Sequence, residues 1–140
     1  MYRIIYLSSA KKLMSELELD TLLKTSRSNN KKQGITGLLL YFEGDFMQVI
    51  EGEEQNVRNL FQNILQDNRH SNIICVFSKN VDGREFSDWS MNFSASSYAD
   101  LNKIKEFENI NRNFLFKLND KTILAFLDTF LRYHRILVNH

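Results

Sequence analysis

Hydrophobic residues recur along this chain with two periods in alternation, and that alternation leaves few folds open. "YRIIYLSS" (2–9) has strand composition, and "SELELDTLLKTSRSNNKKQG" follows it with Leu19, Leu22, Leu23 and Ser26 at helical spacing. Ser15 and Glu18 match a capping box at its start, and Gly34 is the expected stop. "ITGLLLYFEGDFMQVIEG" then gives two strand-like runs joined at Glu43-Gly44-Asp45, a short connection of the hairpin kind. Val57, Leu60, Phe61, Ile64 and Leu65 mark a second amphipathic helix, and "NIICVFSKNV" and "FSDWSMNFS" give two more strands. The order is βαββαββ, an α+β, ferredoxin-like sheet with two helices on one face. Proline is absent and no repeat or linker interrupts the pattern.

Composition narrows the function classes. A chain of 140 residues, 43% hydrophobic and 25% charged, reads as one domain able to bury a core. Eighteen Lys and Arg against seventeen Asp and Glu generate no field to attract nucleic acid or an anionic membrane. The single cysteine, Cys75, excludes an internal disulfide or a thiolate zinc cluster, suits a reducing cytoplasm, and reads as a buried strand residue. No apolar run is long enough to span a bilayer and the start lacks a signal-peptide pattern, so a cytoplasmic protein is expected. No spacing of His70, His134 and His140 with carboxylates supports a metal site.

One residue resists the pattern. Gln48 puts an amide inside the strand-like run "DFMQVIEG". In a split βαβ unit the first strand neighbours the third, and with alternating faces Tyr6 and Gln48 meet. An unpaired amide in an apolar layer costs roughly 1 to 3 kcal/mol, and a phenol hydroxyl satisfies only part of a group with two donors and a carbonyl oxygen. The rest suits a bound ligand. A satisfied core pair and a solvent-facing pair are the alternatives, since alternation alone does not say which face is covered.

"RIIYLSS" with Tyr6, "NN" at Asn29 and Asn30, "GITGLLLY", "FMQVIEG" with Gln48, "DNRH" from Asp67 and "FSDWSM" with Trp89 and Met91 together resemble the BLUF family, blue-light sensors using FAD. The order and spacing of all six motifs fit over residues 2 to 93. The resemblance implies non-covalent FAD between the two helices, with Tyr6 and Gln48 as the photochemical hydrogen-bonded pair at the ring. It also implies Asn29 and Asn30 at the ring's polar edge, Ile64 packed against it, and Asp67, Arg69 and His70 toward the ribityl and phosphate end. Some members carry a basic residue late in the second helix, where this chain has Asn63 and Gln66.

The implied mechanism is photochemical: an electron and proton leave Tyr6 and return, and Gln48 is left rotated or tautomerised. Trp89 and Met91, alternating on one face of "FSDWSMNF", match the family's relay pair. Residues 1–95 would form the flavin-binding domain and 96–140 a helical extension for output or oligomerisation. Its last helix has Asn119 or Asp120 as cap and Ile123, Phe126, Leu127, Phe130, Leu131 and His134 on one stripe. The expected partners are FAD, a homo-oligomeric copy and a separate downstream protein, with no nucleic acid, no membrane, no metal and no enzymatic turnover. Two alternatives stand beside this: a flavin- or metabolite-binding regulatory domain without photochemistry, and a small acyl-phosphate hydrolase. For the latter, "YLSSAKK" is a poor phosphate-cradling loop.

Overall fold

The computed structural model describes residues 1–13, 15–42, 44–86, 91–95 and 120–133. Its elements run β1 (Tyr2–Ala10), α1 (Glu16–Lys32), β2 (Thr36–Phe42), β3 (Asp45–Gly52), α2 (Glu54–Leu65), β4 (His70–Asn80), β5 (Met91–Ala95) and α3 (Lys121–Tyr133). The expected βαββαββ order is observed. Of the last strand run, residues 87–90 lie outside the described part, as do Asn119 and His134.

The sheet order is β4-β1-β3-β2-β5. β3 lies antiparallel between β1 and β2, β4 pairs antiparallel with the other edge of β1, and β5 adds a parallel edge beside β2. β1 and β3 are therefore neighbours, with Tyr6 directly opposite Gln48. The β1–β4 pairing is irregular between Ile5 and Tyr6. An extra residue in a ladder re-aims the side chains beside it, and here it falls next to Tyr6.

Tyr2, Ile4, Leu39, Tyr41, Phe46 and Ile50 form the buried layer on one face, packed with Val57, Leu60, Phe61 and Ile64 from α2 and Leu22 from α1. Both helices thus cover the face that carries Tyr6 and Gln48. On the opposite face Ile5, Leu38, Leu40, Met47 and Val49 are also buried, in company with the charged pair Arg3 and Glu51.

α1 begins with the expected capping box of Ser15 and Glu18. It ends at Gln33, where the Gly34 N–H bonds the Lys31 carbonyl and the Ile35 N–H bonds the Asn30 carbonyl, a Schellman closure. Gly34 supplies the positive φ of 65° that this closure needs.

Two details differ from the sequence reading. Cys75 is exposed, not buried, because β4 is an edge strand. Leu65 is also exposed, since it stands at the last turn of α2, past the end of the sheet contact.

The chain divides into two compact units, Met1–Ser96 and Ser97–His140. In the second, the Asp120 carboxylate caps α3 by accepting from the Thr122 and Ile123 N–H groups, and Ile123, Leu127 and Phe130 are buried. Among the described residues, no helix is long and apolar enough to cross a membrane.

Candidate functional site

Between α1, α2 and the covered sheet face lies a cavity of about 410 Å³, within the usual size of small-molecule pockets. Its floor is Tyr6, Leu39, Phe46 and Gln48; α1 contributes Leu22, Ser26, Asn29 and Asn30, and α2 contributes Leu60, Asn63 and Ile64. Asp67, Arg69 and His70 close one end. All eight sequence-identified residues that can be assessed line this one space. Trp89 lies outside the described residues, and for Met91 only the backbone is described.

The Tyr6 hydroxyl donates to the Gln48 carbonyl oxygen in a short hydrogen bond. Both residues are about 95% buried. Phe61 packs on the Tyr6 ring at 5.7 Å between centroids, and His70 meets it edge-on at 6.3 Å. Burial, reinforced by the Asp67 charge, pushes the Tyr6 phenol far above its ordinary range. It is a neutral phenol at any physiological pH.

The Gln48 amide NH2 has no hydrogen-bond partner among the described residues, and neither has the Asn30 side-chain amide, although Asn30 is only 3% exposed. The Schellman closure holds the Asn30 backbone through its carbonyl, which aims that amide into the cavity. Two carboxamides of buried residues open into one cavity with unused hydrogen-bonding groups, which a ligand with complementary polar groups would take up. A ring with apolar faces and an edge of carbonyls and nitrogens satisfies both walls, so the residues present fit an isoalloxazine.

The polar end is more constrained. Arg69 Nε lies 2.9 and 3.0 Å from the two Asp67 oxygens, and this guanidinium holds the Asp67 carboxyl below the usual carboxylate range. His70 Nε2 lies 2.6 Å from the Ile64 carbonyl and Nδ1 3.0 Å from the Ser8 hydroxyl. A carbonyl only accepts, so Nε2 carries the proton, and in the neutral ring Nδ1 accepts from Ser8. His70 thereby ties β1 to the end of α2 below the Tyr6 ring.

Lys32, at the opposite end of the cavity lining, has no carboxylate partner among the described residues. Sequence reasoning passed over it, as it did Thr21, Thr25 and Gln33. Lys32 follows Asn29 by three residues, the spacing of one helical face, and that was the available signal.

A ferredoxin-like sheet whose two helices enclose a cavity built around a Tyr–Gln pair defines a small-ligand sensor or carrier module. Residues 1–92 match the family model for sensors of blue light using FAD. The chain belongs to the BLUF family, and FAD is the family's cofactor; the matched region is a photosensor domain, not itself catalytic. It is 36% identical over 89 residues to the photoactivated adenylate cyclase subunit beta of Euglena gracilis, covering 63% of this chain and 10% of that protein. The chain thus spans about a tenth of the length of such curated relatives.

Among solved structures, BlrB, described as a BLUF protein in its dark state, is 30% identical with a TM-score of 0.63, covering 74% of this chain and 83% of that one. A bacterial light-regulated adenylyl cyclase is 32% identical with a TM-score of 0.68, covering 96% of this chain and 35% of that one.

Proposed function

We propose that Tyr6 and Gln48 are the photochemical switch of this sensor, and that the cavity between α1 and α2 is where FAD is held. The observation that carries the proposal is the buried Tyr6–Gln48 hydrogen bond in a cavity wall whose remaining amide donors have no protein partner. Bound FAD supplies blue-light absorption and an excited-state electron acceptor. Tyr6 is the oxidisable phenol: its proton lies in the hydrogen bond to Gln48, so loss of an electron from the ring drives that proton toward the amide oxygen. Gln48 records the event as a changed hydrogen-bond pattern. Such a local switch needs a neighbouring element with two packings, and Trp89 and Met91 are assigned that relay.

Asn29, Asn30 and Ile64 hold the ring in this reading. Asp67 and Arg69 form the charged rim. Arg69, beside Asp67, is the cation at the phosphate end. Residues 96–140 carry the signal outward, through a second copy of the chain or a separate downstream protein. A truncation ending at residue 114 that keeps both photoactivity and oligomeric state would remove that role. A cytoplasmic location fits the exposed free thiol of Cys75, which a reducing compartment tolerates.

The test is the visible spectrum of protein purified in dim light, before and after blue illumination. Flavin bands that shift slightly to the red and return in darkness are expected, and Gln48→Leu is expected to keep the flavin and lose the shift. Bound flavin with no reversible shift would replace this reading with a non-photochemical flavin-binding domain; a normal light response in Gln48→Leu would refute the role of the amide.

A further inference from the structure

We infer that Glu51 is a positioning residue for the light signal, fastening the start of the chain segment that carries Trp89 and Met91 to the strand that carries Gln48. The inference rests on the photosensor reading above. Gln48 and Glu51 are three residues apart on β3, so they face opposite sides of the same strand. Glu51 is fully buried.

Its carboxylate accepts from Arg3 Nε at 2.8 Å and Arg3 Nη2 at 2.7 Å, from the Glu85 N–H at 3.0 and 3.1 Å, and from the Phe86 N–H at 2.9 Å. Arg3 stands directly across the β1–β3 ladder. The loop after β4 is thus gripped by the central strand through one side chain. Arg84 adds a second hold, with Nη1 at 2.6 Å from Thr36 Oγ1 and 3.1 Å from the Glu51 carbonyl, and Nη2 at 2.6 Å from the Gly34 carbonyl. Gly34 belongs to the closure that positions Asn30.

Nothing in the flavin chemistry uses this charge. A buried ion pair is a poor source of stability compared with apolar packing of the same volume, and its best-attested use is to specify one arrangement. Here the arrangement specified is the position of residues 84–86, with Phe86 itself buried. Five residues later Met91 opens β5 opposite Leu38. The chain bearing Trp89 therefore runs between two points fixed to the sheet that senses the flavin. A shift of β3 at Gln48 is delivered to one of them through a rigid strand.

Trp89 is the only tryptophan in the chain, so its fluorescence reads the relay without ambiguity. The experiment compares wild type, Glu51→Gln and Arg84→Gln, loaded with FAD, for the flavin red shift and for the light-minus-dark change in Trp89 fluorescence. The expected result is a retained red shift with a Trp89 change reduced at least about twofold in both variants. Wild-type-sized signals of both kinds in the variants would overturn the inference. So would loss of the red shift itself, which would assign Glu51 to the integrity of the flavin site. If Glu51→Gln does not accumulate as folded protein, Arg84→Gln, whose side chain is exposed, decides the matter. A wild type without any red shift would instead sink the photosensor reading on which the inference rests.

Discussion

Replacing Glu51 with leucine removes a carboxylate that four donor groups use: two from the Arg3 guanidinium and the N–H groups of Glu85 and Phe86. Both members of the ion pair are essentially inaccessible, at 3% and 0% side-chain exposure, so water does not take over the lost bonds. Breaking a buried pair from one side costs about 3 to 5 kcal/mol, and each of the two lost backbone hydrogen bonds adds roughly 1 kcal/mol. The sum, about 5 to 7 kcal/mol, is a large part of the 5 to 15 kcal/mol that holds a typical domain folded. At about 3 °C per kcal/mol for a chain of this size, the melting temperature falls by roughly 15 to 20 °C.

The double variant Arg3→Met/Glu51→Leu removes both members of the pair and should recover at least about 2 kcal/mol of that loss, since apolar replacement of a whole pair is often neutral. Thermal unfolding by circular dichroism, with FAD at one fixed concentration because a ligand of the folded state raises its stability, makes the comparison. A single variant that loses less than about 1 kcal/mol, or a double variant no more stable than the single, would refute the claim that loss of the buried Arg3–Glu51 pair dominates.

Other consequences concern the cavity. The Tyr6 phenol is held protonated by burial, so its folded pKa lies above the unfolded value near 10.0. Its contribution is complete below pH 10 and is lost as pH rises beyond it, at up to about 1.4 kcal/mol per pH unit; Tyr6→Phe should flatten that part of the alkaline denaturation curve, and an unchanged slope would contradict the assigned burial. Arg69→Gln should weaken FAD about two- to fivefold at low salt and leave riboflavin unaffected, as befits an exposed charge on a phosphate; equal losses for both ligands in isothermal titration would remove Arg69 from the phosphate end. Gly34→Ala places a side chain at a φ of 65° and should cost about 1 to 2 kcal/mol, with a matching drop in flavin affinity through Asn30, checked by urea titration and flavin binding.

Period and spacing made the element order, the adjacency of β1 and β3, the Tyr6–Gln48 meeting and the end of α1 at Gly34 legible, because each depends on local chemistry plus one topological rule. The pairing of Tyr6 with Gln48 follows once β3 is known to insert between β1 and β2, and the observed register puts them face to face. Burial was harder to read. Cys75 sits in a run as apolar as any buried strand, "NIICVF", yet it is exposed because edge position is a property of the assembled sheet and leaves no mark in the run itself. Arg3 and Glu51 were invisible for the opposite reason: each is a single charge at the end of an apolar run, and only the register that sets them opposite each other makes a buried pair admissible.

The same register explains why β3 concentrates so much of the polar chemistry. As the central strand it has a partner on each side from Asp45 to Glu51, Tyr6 and Leu39 flanking Gln48 and Arg3 and Thr36 flanking Glu51. A polar side chain there is held by neighbours on both flanks, which an edge strand such as β4 does not provide. A switch amide and a buried anchor both require a backbone that does not give way. The strand least able to yield is therefore the one on which a change at Gln48 is felt at Glu51, and through its carboxylate at residues 85 and 86.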